Sequence, residues 1–148
     1  MDPRWECLYE QHRAALYRAA AALVGDAEGE EVMQDAFERA MRQADFFGDV
    51  REPFAWLRQV VVRLAVSRLR RRALSDRLLS VWQEHPVEPD LEVEWAVRRL
   101  PPTQRGAVVM RYYFRADYRE IAAALGLSES SVGKTLARAR VALRDDLS

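Results

Sequence analysis

The sequence predicts an all-α protein of two small helical domains joined by an acidic linker, and three observations carry that expectation. Apolar residues recur at three- and four-residue steps along most of the 148 residues, and no alternating run of β-branched residues is bounded by turns. The neutral total of 23 basic and 23 acidic residues is unevenly spread: residues 1–72 hold 12 of each, 73–95 hold 1 against 6, and 96–148 hold 10 against 5. Near residue 126 a glycine turn separates two helical stretches that each carry a capping signal.

In chain order, the first helix is expected from Trp5 to Val24, with Leu8, Tyr9, His12, Leu16, Ala20 and Leu23 on one stripe and Gly25 to end it. His12 in that stripe reads as a packed neighbour of the core, not a ligand. Asp26 opens a second helix whose acidic first turn suits the positive end of the helix dipole. Its apolar face is Val32, Met33, Ala36, Phe37, Ala40 and Met41. After a loop marked by Gly48 and Pro53, a long helix carries Phe54, Trp56, Leu57, Val60, Val61, Leu64 and Leu69 and finishes in the run RLRRR. Pro86, Pro89 and a series of acidic residues make the following stretch a linker. Asp90 is placed to cap a short helix with Leu91, Val93, Trp95, Val97 and Leu100, and Pro101-Pro102 presets the next helix, with Ala107, Val108, Met110 and Tyr112.

Asp117 followed by Glu120 has the spacing of a capping box, Ile121, Ala122 and Leu125 give a core face, Gly126 breaks the helix and Ser128 caps the next. This is the helix-turn-helix pattern, whose second helix enters the DNA major groove. At 100° per residue from Val132, Leu136, Ala139 and Leu143 fall on the core side. Ser130, Lys134, Ala137, Arg138 and Val141 fall outward, small or polar where bases are read and basic where phosphates are met. The segment SESSVGKT ends like a nucleotide-binding P-loop, but Ser128 stands where the first glycine is needed and the preceding DYREIAAALGL is helical, not a strand. The surplus of basic residues over 96–148 suits a polyanion, and almost all are arginine, Lys134 being the only lysine.

Composition excludes several function classes. The single cysteine, Cys7, rules out an internal disulfide framework and offers no metal-ligand spacing. Two scattered histidines and no glycine-rich loop leave nothing to place as nucleophile, base and oxyanion donor, so no enzyme, catalytic residue, metal or cofactor is expected. With no signal peptide and no long apolar run, a cytosolic protein without membrane insertion is expected.

On these motifs the chain resembles bacterial sigma factors of the extracytoplasmic-function (ECF) group over nearly its whole length. Glu30, Glu31, Val32, Met33, Gln34, Asp35, Ala36 and Phe37 stand where the family helix reads E-D-L-V-Q-E-A-F. The segment PFAWLRQVVVRLAVSRLRRR resembles the helix that holds the minus-ten promoter element. LPPTQRGAVVMRYYFRADYREIAAALGLSESSVGKTLARARVALR resembles the second domain, with its Leu-Pro start, E-I-A, turn and R-A-R in order. The resemblance implies a polymerase-binding and minus-ten-binding domain over 1–72, a linker over 73–95 and a minus-thirty-five-binding domain over 96–148. It implies polymerase contacts at Glu31, Gln34, Asp35 and Glu38. Minus-ten contacts are implied at Phe46, Phe47, Asp49, Arg51, Arg63, Arg68, Arg70 and Arg71, with Phe46, Phe47, Asp49 and Arg51 in the loop that captures a flipped base. Minus-thirty-five contacts are implied at Ser130, Ser131, Lys134, Ala137, Arg138 and Arg140.

The implied partners are core RNA polymerase, promoter DNA and, as a candidate, an anti-sigma factor. Three departures stand out: Arg63 at the family's usual Asn, Ser67 at its usual Asp, and Gly133 at a usual basic residue. They motivate an alternative, a sigma-like regulator or decoy that does not open promoters. A stand-alone helix-turn-helix regulator is a third reading, less suited to the first domain.

Overall fold

The computed structural model describes residues 2–78 and 92–147, with the side chains of 76–78 and 92–95 outside the description. Eight α-helices are described: α1 (Pro3–Val24), α2 (Asp26–Met41), α3 (Phe46–Asp49), α4 (Pro53–Leu78), α5 (Glu92–Arg99), α6 (Pro102–Val108), α7 (Tyr118–Leu125) and α8 (Glu129–Leu147). A π-helical turn, Val109–Tyr113, prolongs α6. No strand occurs among the described residues.

α1 starts two residues earlier than its apolar stripe, because Asp2 accepts the Arg4 N–H at 2.9 Å and Pro3 presets the first turn. α4 continues to Leu78, beyond the arginine run that was expected to end it. Most of the predicted linker, including Pro86, Pro89 and the Asp90 cap, lies outside the described residues. The π-turn was not foreseen: Phe114 N–H reaches back five residues to Val109 O at 3.2 Å. As a result Tyr112, read from the sequence as part of an apolar face, is 53% exposed.

α1, α2 and α4 pack around Leu16, Leu23, Val32, Leu57 and Val61, and α6, α7 and α8 pack around Met110, Ile121, Val132 and Leu136. These are not separate cores. Val62 and Val66 of α4 meet Gly106 of α6 and Leu125 of α7, so one buried apolar cluster runs through both halves. No polar or charged residue is buried among those described. The crossing of α1 over α2 is close enough to need a missing side chain: a Cβ on Gly29 would lie 2.8 Å from Ala21 N and 2.9 Å from its Cα. His12 completes the α1–α4 contact, its ring stacked on Phe54 at 4.3 Å and 15°. Burial holds its pKa below the ordinary 6.5.

Gly29→Ala must push α1 and α2 apart, so chemical denaturation should show a loss of about 1–3 kcal/mol; an unchanged midpoint would mean the helices give way freely. A histidine with a depressed folded pKa takes up its proton more readily when unfolded. Its contribution to stability is therefore full above the unfolded pKa of 6.5 and is lost as pH falls through and below it. Urea midpoints measured at pH 7 and pH 5 should differ less in His12→Phe than in the wild type.

Candidate nucleic-acid interface

The helix-turn-helix forms as its sequence directs. Asp117 Oδ1 accepts the Glu120 N–H at 2.8 Å, Gly126 takes the left-handed conformation at φ 67°, and Ser128 Oγ accepts the Ser131 N–H at 3.2 Å. The capping box is only half made, because the Glu120 carboxylate turns away to Arg58 of α4. SESSVGKT is thus a cap followed by helix, with no loop to cradle a phosphate.

α8 presents two contrasting faces. Val132, Leu136 and Ala139 are fully buried, while Ser130, Lys134, Ala137 and Arg138 are exposed together on the opposite side. Lys134 and Arg138 make no ion pair among the described residues. Ser131 is half-buried, its hydroxyl accepting from Ser128 Oγ at 2.9 Å, so it belongs to the cap. Arg140 lies off the face and donates to the Tyr112 hydroxyl at 3.2 Å, joining α8 to the π-turn. Gly133 sits beneath Tyr118, where an added Cβ would lie 3.5 Å from Cε2, an ordinary contact.

The stretch expected as a loop before α4 instead folds Phe46–Asp49 into the short helix α3, capped by Asp45, and it departs from its expected role at one residue. Phe46 is 2% exposed and packed among Trp5, Phe47 and Trp56 at 5.0–5.3 Å, so it supports the loop and offers no face to a base. Phe47 is half-buried, with Trp5 at 4.6 Å and the Arg4 guanidinium 4.4 Å from its ring. Asp49 and Arg51 are exposed.

Most of the expected minus-ten arginines are engaged. Arg63 Nη2 donates to Ala123 O at 3.4 Å, Arg68 Nη1 to Glu31 Oε2 at 2.9 Å, and Arg70 Nη2 to Thr103 Oγ1 at 2.8 Å. Arg71 is exposed. Two further arginines do structural work at the C-terminal end of α1. Arg72 donates to Val24 O at 3.2 Å, and Arg105 donates to Leu23 O at 2.9 Å, to Leu100 O at 3.2 Å and to Arg98 O. Burial, then the charges of Arg98 and Arg72, pull the Arg105 pKa down to about 10, which leaves it protonated at neutral pH.

The acidic face of α2 is laced to basic neighbours: Asp35 to Arg39 at 3.2 Å, Glu38 to Arg42 at 3.9 Å, and Glu31 to Arg68. Beside Gln34 and Glu38 lies a feature the sequence pattern did not reveal, a groove of about 590 Å³ floored by Trp5, Tyr9, Phe37 and Met41. Among the described residues no cluster of His, Cys, Asp or Glu is placed to hold a metal, and no helix is long and apolar enough to cross a membrane.

Comparison with known proteins covers both halves. The Sigma-70 region 2 model matches residues 8–74, and the Sigma-70 region 4 model matches 91–143. The chain is 31% identical over 141 residues to an RNA polymerase sigma-E factor of Streptomyces coelicolor, covering 90% of this chain and 80% of that one. It is 33% identical over 151 residues to the ECF RNA polymerase sigma factor SigL of Mycobacterium tuberculosis, covering 93% and 85%. The fold matches that of the sigma factor RpoE of Bartonella quintana, solved with the anti-sigma factor NepR, at TM-score 0.76 and 24% identity over 97% of this chain and 96% of that one. With α1–α4 falling in region 2, α5–α8 in region 4 and relatives aligned across both, the chain belongs to the ECF group of the sigma-70 family of RNA polymerase sigma factors.

Proposed function

We propose that this sigma factor docks on core RNA polymerase through α2, holds the minus-ten element against α4 and the loop before it, and reads the minus-thirty-five element with α8. The observation that carries the reading is the outward face of α8, where Ser130, Lys134, Ala137 and Arg138 stand exposed above a fully buried back. Such a helix is rigid enough to enter a groove and polar enough to read it. Arg138 suits a base edge and Lys134 a phosphate. In α3 and just after it, the exposed Asp49 and Arg51 are the polar groups for an extruded base, and the half-buried Phe47, not the buried Phe46, is the stacking surface.

On α2, Gln34 and Glu38 border the aromatic groove, which supports a docking surface with an apolar floor and acidic rim. The polymerase performs the phosphodiester chemistry, and the sigma factor supplies binding and strand separation in the cytoplasm. An anti-sigma factor is a further proposed partner, supported by the likeness to the Bartonella sigma factor crystallised with one.

The deciding measurement is run-off transcription with cognate core polymerase and genomic promoter fragments. Transcripts dependent on the protein are expected, whereas tight core binding without any transcript would favour a decoy. Arg138→Ala should cost about 1–3 kcal/mol at one minus-thirty-five position, and Lys134→Ala should weaken all sequences alike while lowering the salt slope by about 1. Gly133→Ala should raise stability by about 1 kcal/mol, since the helix gains and Tyr118 leaves room for a methyl group. Unchanged minus-thirty-five affinity in that variant would show that Gly133 makes no close approach to DNA.

A further inference from the structure

Arg4, in the first turn of α1, stands on the ring that serves as the stacking surface for the minus-ten base. Its guanidinium lies over Phe47, 4.4 Å from the ring centroid. The ring is braced on its other sides, because Trp5 packs against it at 4.6 Å and the buried Phe46 meets it edge to face at 5.3 Å. The turn that carries Phe47 is fixed as well. Asp45 Oδ1 accepts the Gly48 N–H at 3.2 Å, and a Cβ on Gly48 would lie 2.6 Å from Asp45 Cγ. The start of α1 and the turn of α3 thus bring a guanidinium and an aromatic ring together at one spot on the surface.

The guanidinium is also aimed. Asp2 holds one edge of it, with Nε donating to Oδ1 at 3.2 Å and to Oδ2 at 3.0 Å, and Nη2 donating to Oδ2 at 2.6 Å. Asp2 is itself fixed as the cap of α1 by the Arg4 N–H at 2.9 Å. Nη1 makes no hydrogen bond to a described residue. Because the group is planar, the end that carries Nη1 stays turned away from Asp2 and open to an acceptor. A carboxylate on one edge offsets the pull this arginine would exert on a phosphate, yet leaves its remaining N–H donors in place. That combination suits the edge of a base better than the backbone.

We propose that Arg4 is a further specificity-determining residue for the minus-ten element and that it reads a carbonyl on the extruded base. A base that stacks on the open part of Phe47 shares the ring with the guanidinium and meets it edge on. Arginine offers donors only, so it selects acceptors. A carbonyl oxygen of guanine, thymine or cytosine has two lone pairs and takes two of these N–H groups. Adenine has no carbonyl, and its amino group sets donor against donor. Asp2 is then the positioning residue for Arg4, and Trp5 for the ring. The proposal rests on the reading of α3 and its flanks as the site of the minus-ten base.

The test uses holoenzyme assembled with cognate core polymerase and fork-junction DNA whose minus-ten segment is single-stranded, with each base placed in turn at each position. Binding anisotropy of the wild type should show a carbonyl-bearing base preferred over adenine at one position. Arg4→Ala should shrink that preference by about tenfold there and leave the other positions as they were. Arg4→Lys keeps the charge without the planar fork, so it should lose the preference and retain overall affinity. Asp2→Asn keeps a capping side chain but frees the guanidinium, so it should bind all four bases more tightly with less preference. The Asp2–Arg4 pair is exposed and adds little to stability, so melting temperatures should stay at the wild-type value. If Arg4→Ala leaves every preference intact, the proposal is overturned. It is overturned too if the variant weakens all four bases alike and lowers the salt slope by about 1, which makes Arg4 a phosphate contact. Phe47→Ala keeps the two readings apart. Loss of selectivity in Phe47→Ala at a position that Arg4→Ala leaves intact sinks the role of Arg4 alone. No change at any position in Phe47→Ala sinks the minus-ten reading of α3, and the role of Arg4 with it.

Discussion

The structure depends on α4 being wanted on two sides. Leu57, Val60, Val61, Val62, Ala65, Val66 and Leu69 are all buried, and they spread around too much of the helix for one neighbour to cover them. Val62 and Val66 face Gly106 and Leu125, so region 4 covers apolar surface that region 2 cannot cover alone. Much of what holds the halves together gathers on this helix, including Arg58, Arg63 and Arg70, while Arg105 ties α6 to the end of α1. Because burial of apolar surface is non-directional, the polar contacts fix the register in which the halves meet.

Arginine dominates this chemistry for a physical reason. A planar guanidinium can satisfy several oxygen acceptors at a modest desolvation cost, and helix ends leave carbonyls in need of donors. Arg72 and Arg105 converge on the last turn of α1 from opposite halves of the chain, closing its C-terminal end with one donor from each region. The neutral net charge is the balance of 23 basic and 23 acidic side chains, some of them paired as in Arg58–Glu120 and Arg68–Glu31, rather than an absence of electrostatics.

Local signals read well from sequence, and tertiary ones did not. The Gly126 turn, the Ser128 and Asp117 caps and the buried back of α8 are short-range consequences of residue type and helical period, and the exposed face of α8 followed from them. Phe46 was read as a base contact because aromatic residues serve both stacking and packing. Only the proximity of Trp5, more than forty positions upstream, decides which. Glu120 was read as half of a capping box, and the choice of Arg58 over its own backbone depends on a partner 62 residues away. The arginines of α4 were legible as basic, but their being occupied was not, since hydrogen bonds across the halves leave no mark in local spacing.

The π-turn at Val109–Tyr113 has a consequence for how such a chain changes by insertion and deletion. A helix widened to five residues per hydrogen-bonded ring holds one residue more than its α-helical counterpart. The extra residue lets Ala107 and Val108 keep their place against region 2 while Met110 and Phe114 face inward after it. Removing one residue there would restore a regular helix and swing all that follows by about 100°. The angular setting of the recognition helix relative to α4 is therefore stored in a single surplus residue, which makes that turn the phase adjuster of the molecule.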